Sequence, residues 1–88
     1  MIGPGTGVRV YPACGATDMR KGIGGLAALA QDVLRQKPTG GAVFAFRGRK
    51  GDRLKLLYRD GQGFCLYYKV LERGRFPWPN TSSGAVRL

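Results

Sequence analysis

Histidine is absent from this 88-residue chain, cysteine occurs twice, and there are only five acidic residues. Each shortage excludes a chemistry. Without histidine no Cys–His or Ser–His nucleophile can form. Cys14 and Cys65 have no CxxC spacing, which argues against a zinc site, and two thiols do not make a disulfide-dense scaffold. Both read as small, half-buried hydrophobes in a reduced, cytosolic compartment. Asp18, Asp32, Asp52, Asp60 and Glu72 fall in separate segments. The converging carboxylates of two-metal catalysis are therefore not expected, and neither an enzyme, a metal nor a cofactor is. No apolar run approaches the roughly 18 residues of a spanning helix, and MIGPGTG makes a poor signal sequence, so the expectation is a soluble protein without membrane contact.

Positive charge is what the chain has in quantity. Lysine and arginine number 15, leaving a net charge of +10 that internal pairing cannot neutralise. Such a surface attracts polyanions, speeds encounter with them and makes binding salt-dependent. Nucleic acid is the default polyanion, ahead of an anionic membrane or an acidic protein. The length allows one small domain, 1–88, with flexible ends expected at 1–7 and 80–88.

The hydrophobic pattern changes period along the chain. VRVYPAC alternates until Pro12, which limits it to a short strand at an edge. In TDMRKGIGGLAALAQDVLRQ, Ile23, Leu26, Ala30, Val33 and Leu34 recur at helical spacing, predicting a helix capped by Thr17 or Asp18 and ending near Gln36, before Pro38. Gly22, Gly24 and Gly25 weaken its first turns by about 1 kcal/mol each, a cost that close approach to the sheet or to a ligand would offset. After the KPTGG loop, AVFAFR, RLKLLYR and FCLYYKVL read as a meander.

Alternation sorts Phe44, Phe46, Leu54, Leu56, Tyr58, Phe64, Leu66 and Tyr68 onto one face. Arg47, Lys55, Leu57, Arg59, Cys65, Tyr67 and Lys69 go to the other. Uniting the apolar set requires Phe46 opposite Leu54 and Tyr58 opposite Phe64, with DGQG as a three-residue turn and a glycine bulge. The fold class predicted is α+β: one amphipathic helix packed on an antiparallel β-meander sheet of about four strands, in two layers. Beyond it, Pro77 and Pro79 flank Trp78 in an extended segment, NTSSG is a linker-like turn, and AVRL is a last short strand or a frayed tail.

FRGRKGDRL, residues 46–54, places Arg47, Arg49, Lys50 and Arg53 around Gly48 and Gly51 at a hairpin tip. Glycines let the backbone bend close to a ligand, and arginine binds phosphate bidentately. It is not a nucleotide-hydrolysing loop, having no GK[ST] and no following helix. Lys55, Arg59 and Lys69 beside Tyr67 extend the cationic face, although outward lysines and arginines are also ordinary solvated surface. Arg20 and Lys21 are expected in the first helical turn, where they would oppose the macrodipole unless Asp18 or a bound phosphate relieves them. Arg73 and Arg75, around Gly74, are further phosphate contacts, with Glu72 bracing the turn. Phe76 and Trp78 are read as a partner contact, Trp78 serving as a core lid or an interface anchor.

TDMRKGIGGL, the run VFAFRGRKGDRLKLLYRDGQGFCLYYKVLERGRFPWP and the preceding GVRVYPACG together resemble the TnpB-type accessory protein of the sixty-sixth insertion-sequence family of bacterial transposable elements. The similarity runs from about Gly7 to Pro79. By position the family motifs fall on Asp18, Met19, Arg20, Lys21 and Gly22, then on Arg47 to Asp52, then on Arg73, Gly74, Arg75, Phe76 and Trp78. Members usually continue past the tryptophan into a helical C-terminal segment, which is not in these 88 residues. The resemblance implies an accessory role in transposition beside a separate transposase carrying the catalytic acids. The expected partners are DNA, as element ends or non-specific duplex, and the transposase of the same element; the expected location is cytoplasmic, at the nucleoid. Two alternatives stand: an adaptor that docks on the transposase without touching DNA, and an RNA-binding module.

Overall fold

Strand and helix propensities lead to a four-stranded sheet with a helical segment on one face. The computed structural model describes residues 9–36 and 41–78. Strand β1 spans Arg9–Pro12, helices α1 and α2 span Ile23–Leu29 and Gln31–Gln36, and strands β2, β3 and β4 span Ala42–Arg47, Arg53–Arg59 and Phe64–Val70. The sheet order is β1-β2-β3-β4. The last three strands form the expected antiparallel meander, while β1 joins β2 in parallel at the edge, so the sheet is mixed. The helical segment between β1 and β2 is the crossover that a parallel pair requires. The ends at 1–7 and 80–88 and the AVRL strand lie outside the described residues.

The helical segment starts later than its sequence suggests. Gly22 is the N-cap and makes no side-chain capping bond, so neither Thr17 nor Asp18 caps α1. Asp18 closes a turn of its own, its carbonyl accepting from Lys21 N at 3.2 Å and its carboxylate from Arg20 N at 2.9 Å. This local side-chain to backbone bonding competes with helix formation. The segment bends at Ala30, although Ala30 N still donates to Leu26 O and Leu34 N to Ala30 O. Gly22 and Gly24 face open space and Gly25 meets the Lys21 side chain, so these glycines do not bring the helix closer to the sheet. Leu26 and Ala30 are buried, Leu34 is half-buried and Ile23 is exposed; the Val33 side chain lies outside what is described.

Register is where alternation misleads. Phe46 lies opposite Lys55, and Leu54 opposite Arg47; Phe64 lies opposite Arg59, and Tyr58 opposite Cys65. Both pairings are one residue away from those that would unite the apolar set. Four residues, Asp60 to Gly63, separate Arg59 from Phe64 in place of the predicted three-residue turn. The Asp60 carboxylate accepts from Gln62 N and Gly63 N at 3.0 and 3.1 Å, which stabilises that longer turn. A shift of one exchanges the faces. Phe44, Phe46, Lys55 and Leu57 therefore point at the helices, and Leu54, Leu56 and Tyr58 point away. Phe44, Phe46, Leu57 and Leu26 are fully buried and form the core with Ala13, Ala30 and Ala42. Burying side chains of this size contributes about 1.5–3 kcal/mol each. Tyr11 stacks on Phe44 with ring centroids 5.5 Å apart.

Candidate nucleic-acid interface

The shifted register buries a lysine, and that lysine organises the site. Lys55 is 7 % exposed. Its ammonium donates to the carbonyls of Met19 and Lys21, both at 2.8 Å, and lies 4.8 Å from the centre of the Tyr68 ring. A buried charge is tolerated only when its donors are satisfied. Here two carbonyls and an aromatic face surround it. The interaction fixes the turn of residues 18–21 against the end of the sheet where β2 passes into β3. Lys55 is consequently a structural tie and not the outward phosphate contact expected from alternation.

Two glycines shape the neighbouring loop. A Cβ on Gly48 would sit 2.9 Å from Met19 Cγ, so the absence of a side chain lets the loop and the 18–21 turn meet. Gly51 has φ of +79°, a left-handed conformation costly for other residues, and a Cβ there would meet the Arg75 side chain at 3.2 Å. Gly48 N donates to Arg53 O at 3.0 Å and Gly51 N to Gly48 O at 3.0 Å, closing the loop. Past β4 the chain returns along it: Leu71 N donates to Asp52 O at 2.8 Å and Phe76 N to Gly51 O at 2.7 Å.

Between the turn and the loop is a cleft of about 420 Å³, lined among others by Arg20, Arg49, Lys50 and Arg53 and by Asp18 and Asp52. Sequence reasoning kept those two acids apart; the fold brings both to one cavity. Arg20 pairs with Asp18 through Nη2 to Oδ2 at 2.8 Å, and its Nε also reaches both carboxylate oxygens. These bonds hold the Asp18 carboxyl well below the usual carboxylate range, chiefly through the Arg20 side chain and then its backbone N–H. Arg20 and Lys21 thus precede the helix, not in its first turn, and the conflict with the macrodipole does not arise. Arg53 Nη1 donates to Tyr68 Oη at 3.0 Å.

The other cations predicted for the site are dispersed. Arg75 covers Gly51 beside the cleft, and Arg73 is exposed in the turn after β4. Arg47 is half-buried, with its guanidinium 5.6 Å from the Trp78 ring centre and its Nε buried without a partner among the described residues. Arg59 lies at the far end of β3 with its guanidinium over Phe64. Lys69 is exposed on the face away from the helices, opposite Leu54. Trp78 is half-buried and donates from Nε1 to Ala13 O at 2.9 Å, fastening the returning chain beside β1; Phe76 is also half-buried. Met19 and Tyr68 were missed as site residues. In the sequence Met19 is only a position of the TDMRKG motif, without a role of its own, and alternation assigns Tyr68 to the apolar face.

A model of the family described as IS66 Orf2 like protein matches residues 8–88. The chain belongs to the IS66 Orf2-like family. It is thereby an insertion-sequence accessory protein, as the motifs TDMRKG, FRGRKGD and LERGRFPWP implied. Two relatives from Sinorhizobium fredii (strain NBRC 101917 / NGR234), both described as uncharacterized, match over all 88 residues: y4hO at 49 % identity, with 76 % of its length covered, and y4jC at 41 %, with 75 % covered. No solved structure matches the chain. Among the described residues, no helix is long and apolar enough to cross a membrane.

Proposed function

We propose that this IS66 Orf2-like protein is a non-catalytic accessory factor of transposition that binds DNA by gripping its phosphate backbone in the cleft between residues 18–21 and the β2–β3 loop. The observation that carries this is the convergence of Arg20, Arg49, Lys50 and Arg53 on one concavity of a chain with net charge +10. Arg49, Lys50 and Arg53 are the principal contacts, Arg20 carries a carboxylate partner, and Lys21, Arg73 and Arg75 flank them. Arginine suits bidentate phosphate contact, and such contacts position a duplex without reading its sequence. The protein then works where its element's DNA is, at the nucleoid in the cytoplasm.

Titration of the intact chain against duplexes carrying the element's terminal repeat and a scrambled version tests this. Both should bind, and Arg49→Ala with Lys50→Ala should weaken both alike. No binding by the intact chain, or no effect of the double substitution, would overturn it.

A second reading is favoured by the sheet face away from the helices, where Val10, Tyr58 and Tyr67 are 60, 36 and 46 % exposed. An apolar strip of this kind suits a protein partner, here the transposase. Co-purification with the transposase that survives nuclease treatment, without duplex binding, would favour this adaptor role.

A further inference from the structure

Beside the cleft stands an aromatic ring that duplex binding does not use. Tyr68 is on β4, the edge strand of the sheet, and is 46 % exposed. Exposed tyrosines on edge strands are common, but this one is fixed at two points by cations. Its hydroxyl accepts from Arg53, which lines the cleft, and its ring lies against the buried Lys55 ammonium, whose other partners are carbonyls of the turn forming the opposite wall. Ring, arginine and cleft are therefore one connected unit.

Resting on the phosphate-binding reading above, we propose that the preferred ligand is an unpaired nucleotide strand, with its backbone in the cleft and a base stacked on Tyr68. Stacking requires a base face free to meet the ring. In a duplex those faces are occupied by neighbouring base pairs, whereas an unpaired strand presents them. Lys55 lies over one face of the ring and Tyr68 is 46 % exposed, so the base is placed on the other face; a cation behind an aromatic platform is compatible with stacking in front of it. Among the described residues β4 is an edge, with no neighbouring strand across the approach. The cleft supplies charge and the ring supplies a sequence-tolerant contact, the combination that recognises single strands.

Fluorescence anisotropy of the intact chain with a 15-nucleotide thymidine oligomer, the uridine RNA oligomer and a 15-base-pair duplex is the test. Both unpaired strands are expected to bind more tightly than the duplex, and the tighter of the two identifies the sugar preferred. Tyr68→Ala should lower single-strand affinity about tenfold or more and duplex affinity by a clearly smaller factor, since both ligands feel the lost Arg53 contact but only the single strand loses the stacking ring; Tyr68→Phe, which lacks that contact and keeps the ring, should retain most of the single-strand affinity. Circular dichroism melting confirms that each variant is folded. Equal affinity for strand and duplex with no effect of Tyr68→Ala would overturn this inference and leave the cleft reading intact, provided that the Arg49→Ala and Lys50→Ala pair still weakens binding. Loss of all nucleic-acid binding in the parent chain would overturn both.

Discussion

Replacing Lys55 by methionine tests whether the buried ammonium holds the site together. Methionine keeps an apolar stem as far as Cε and omits the ammonium, so the change chiefly removes the charge. Two charge-assisted hydrogen bonds at 2.8 Å are lost, to Met19 O and Lys21 O, together with the contact on Tyr68. Each such bond contributes about 1.5–3 kcal/mol and the ring contact about 0.5–2. Opposing this, the variant no longer desolvates an ammonium, which costs several kcal/mol. Because the turn loses both of its hydrogen bonds to β3 while its carbonyls must turn toward water, the bonds outweigh the desolvation, and we expect a net loss of about 2 kcal/mol. For a domain of this size that lowers the melting temperature by about 8–16 °C. Urea or thermal unfolding followed by circular dichroism measures it, and amide exchange should quicken at residues 19–22. Lys69→Met, at an exposed position, should change stability by less than about 0.5 kcal/mol. A Lys55→Met protein as stable as the parent would refute the reasoning, because the ammonium would then contribute no more than it costs to bury.

Gly51→Ala places a Cβ at φ +79° and against Arg75 at 3.2 Å, so it should destabilise by about 1–2 kcal/mol and weaken nucleic-acid binding by distorting the loop; unchanged melting would count against the strain. The Asp60 carboxyl is held below its ordinary range, first by Gln62 N–H, then by the Cys65 thiol and Gly63 N–H. A depressed folded pKa means that this stabilisation is complete above the unfolded value of about 4 and is lost as pH falls below it. Melting followed from pH 6 to 3 should therefore show a fall that is shallower in Asp60→Asn. Burial and then Asp60 raise the Cys65 thiol, so Asp60→Asn should speed its alkylation by iodoacetamide at pH 8, and an unaltered rate would remove Asp60 as a cause.

The two-layer α+β class was legible because strand and helix periods are distinct, and because the β-rich runs are separated by glycine turns. The parallel placement of β1 could also have been read, since a helix lies between it and β2. Register could not. Assigning every cation outward put Lys55 with the solvent-facing set, and only the arrangement of carbonyls in a turn more than 30 residues away makes its burial tolerable. The cationic loop was found at once from Arg49, Lys50 and Arg53 around two glycines. Its opposite wall was placed in a helix, because Asp18 resembles a cap until its carboxylate is seen engaging Arg20. Arg47 and Trp78 looked like surface contacts for different ligands, yet they pack on each other, a pairing that requires the chain after β4 to return across the loop.

The salt dependence of duplex affinity addresses the central claim most directly. Arg49, Lys50 and Arg53 are the principal contacts, Arg20 being paired with Asp18, so log affinity against log salt should fall with a slope of about −2.7, a loss of roughly 40-fold from 50 to 200 mM. With Arg49→Ala and Lys50→Ala the slope should drop to about −0.9. A flat response in the parent chain, or an undiminished slope in the double variant, would contradict the account.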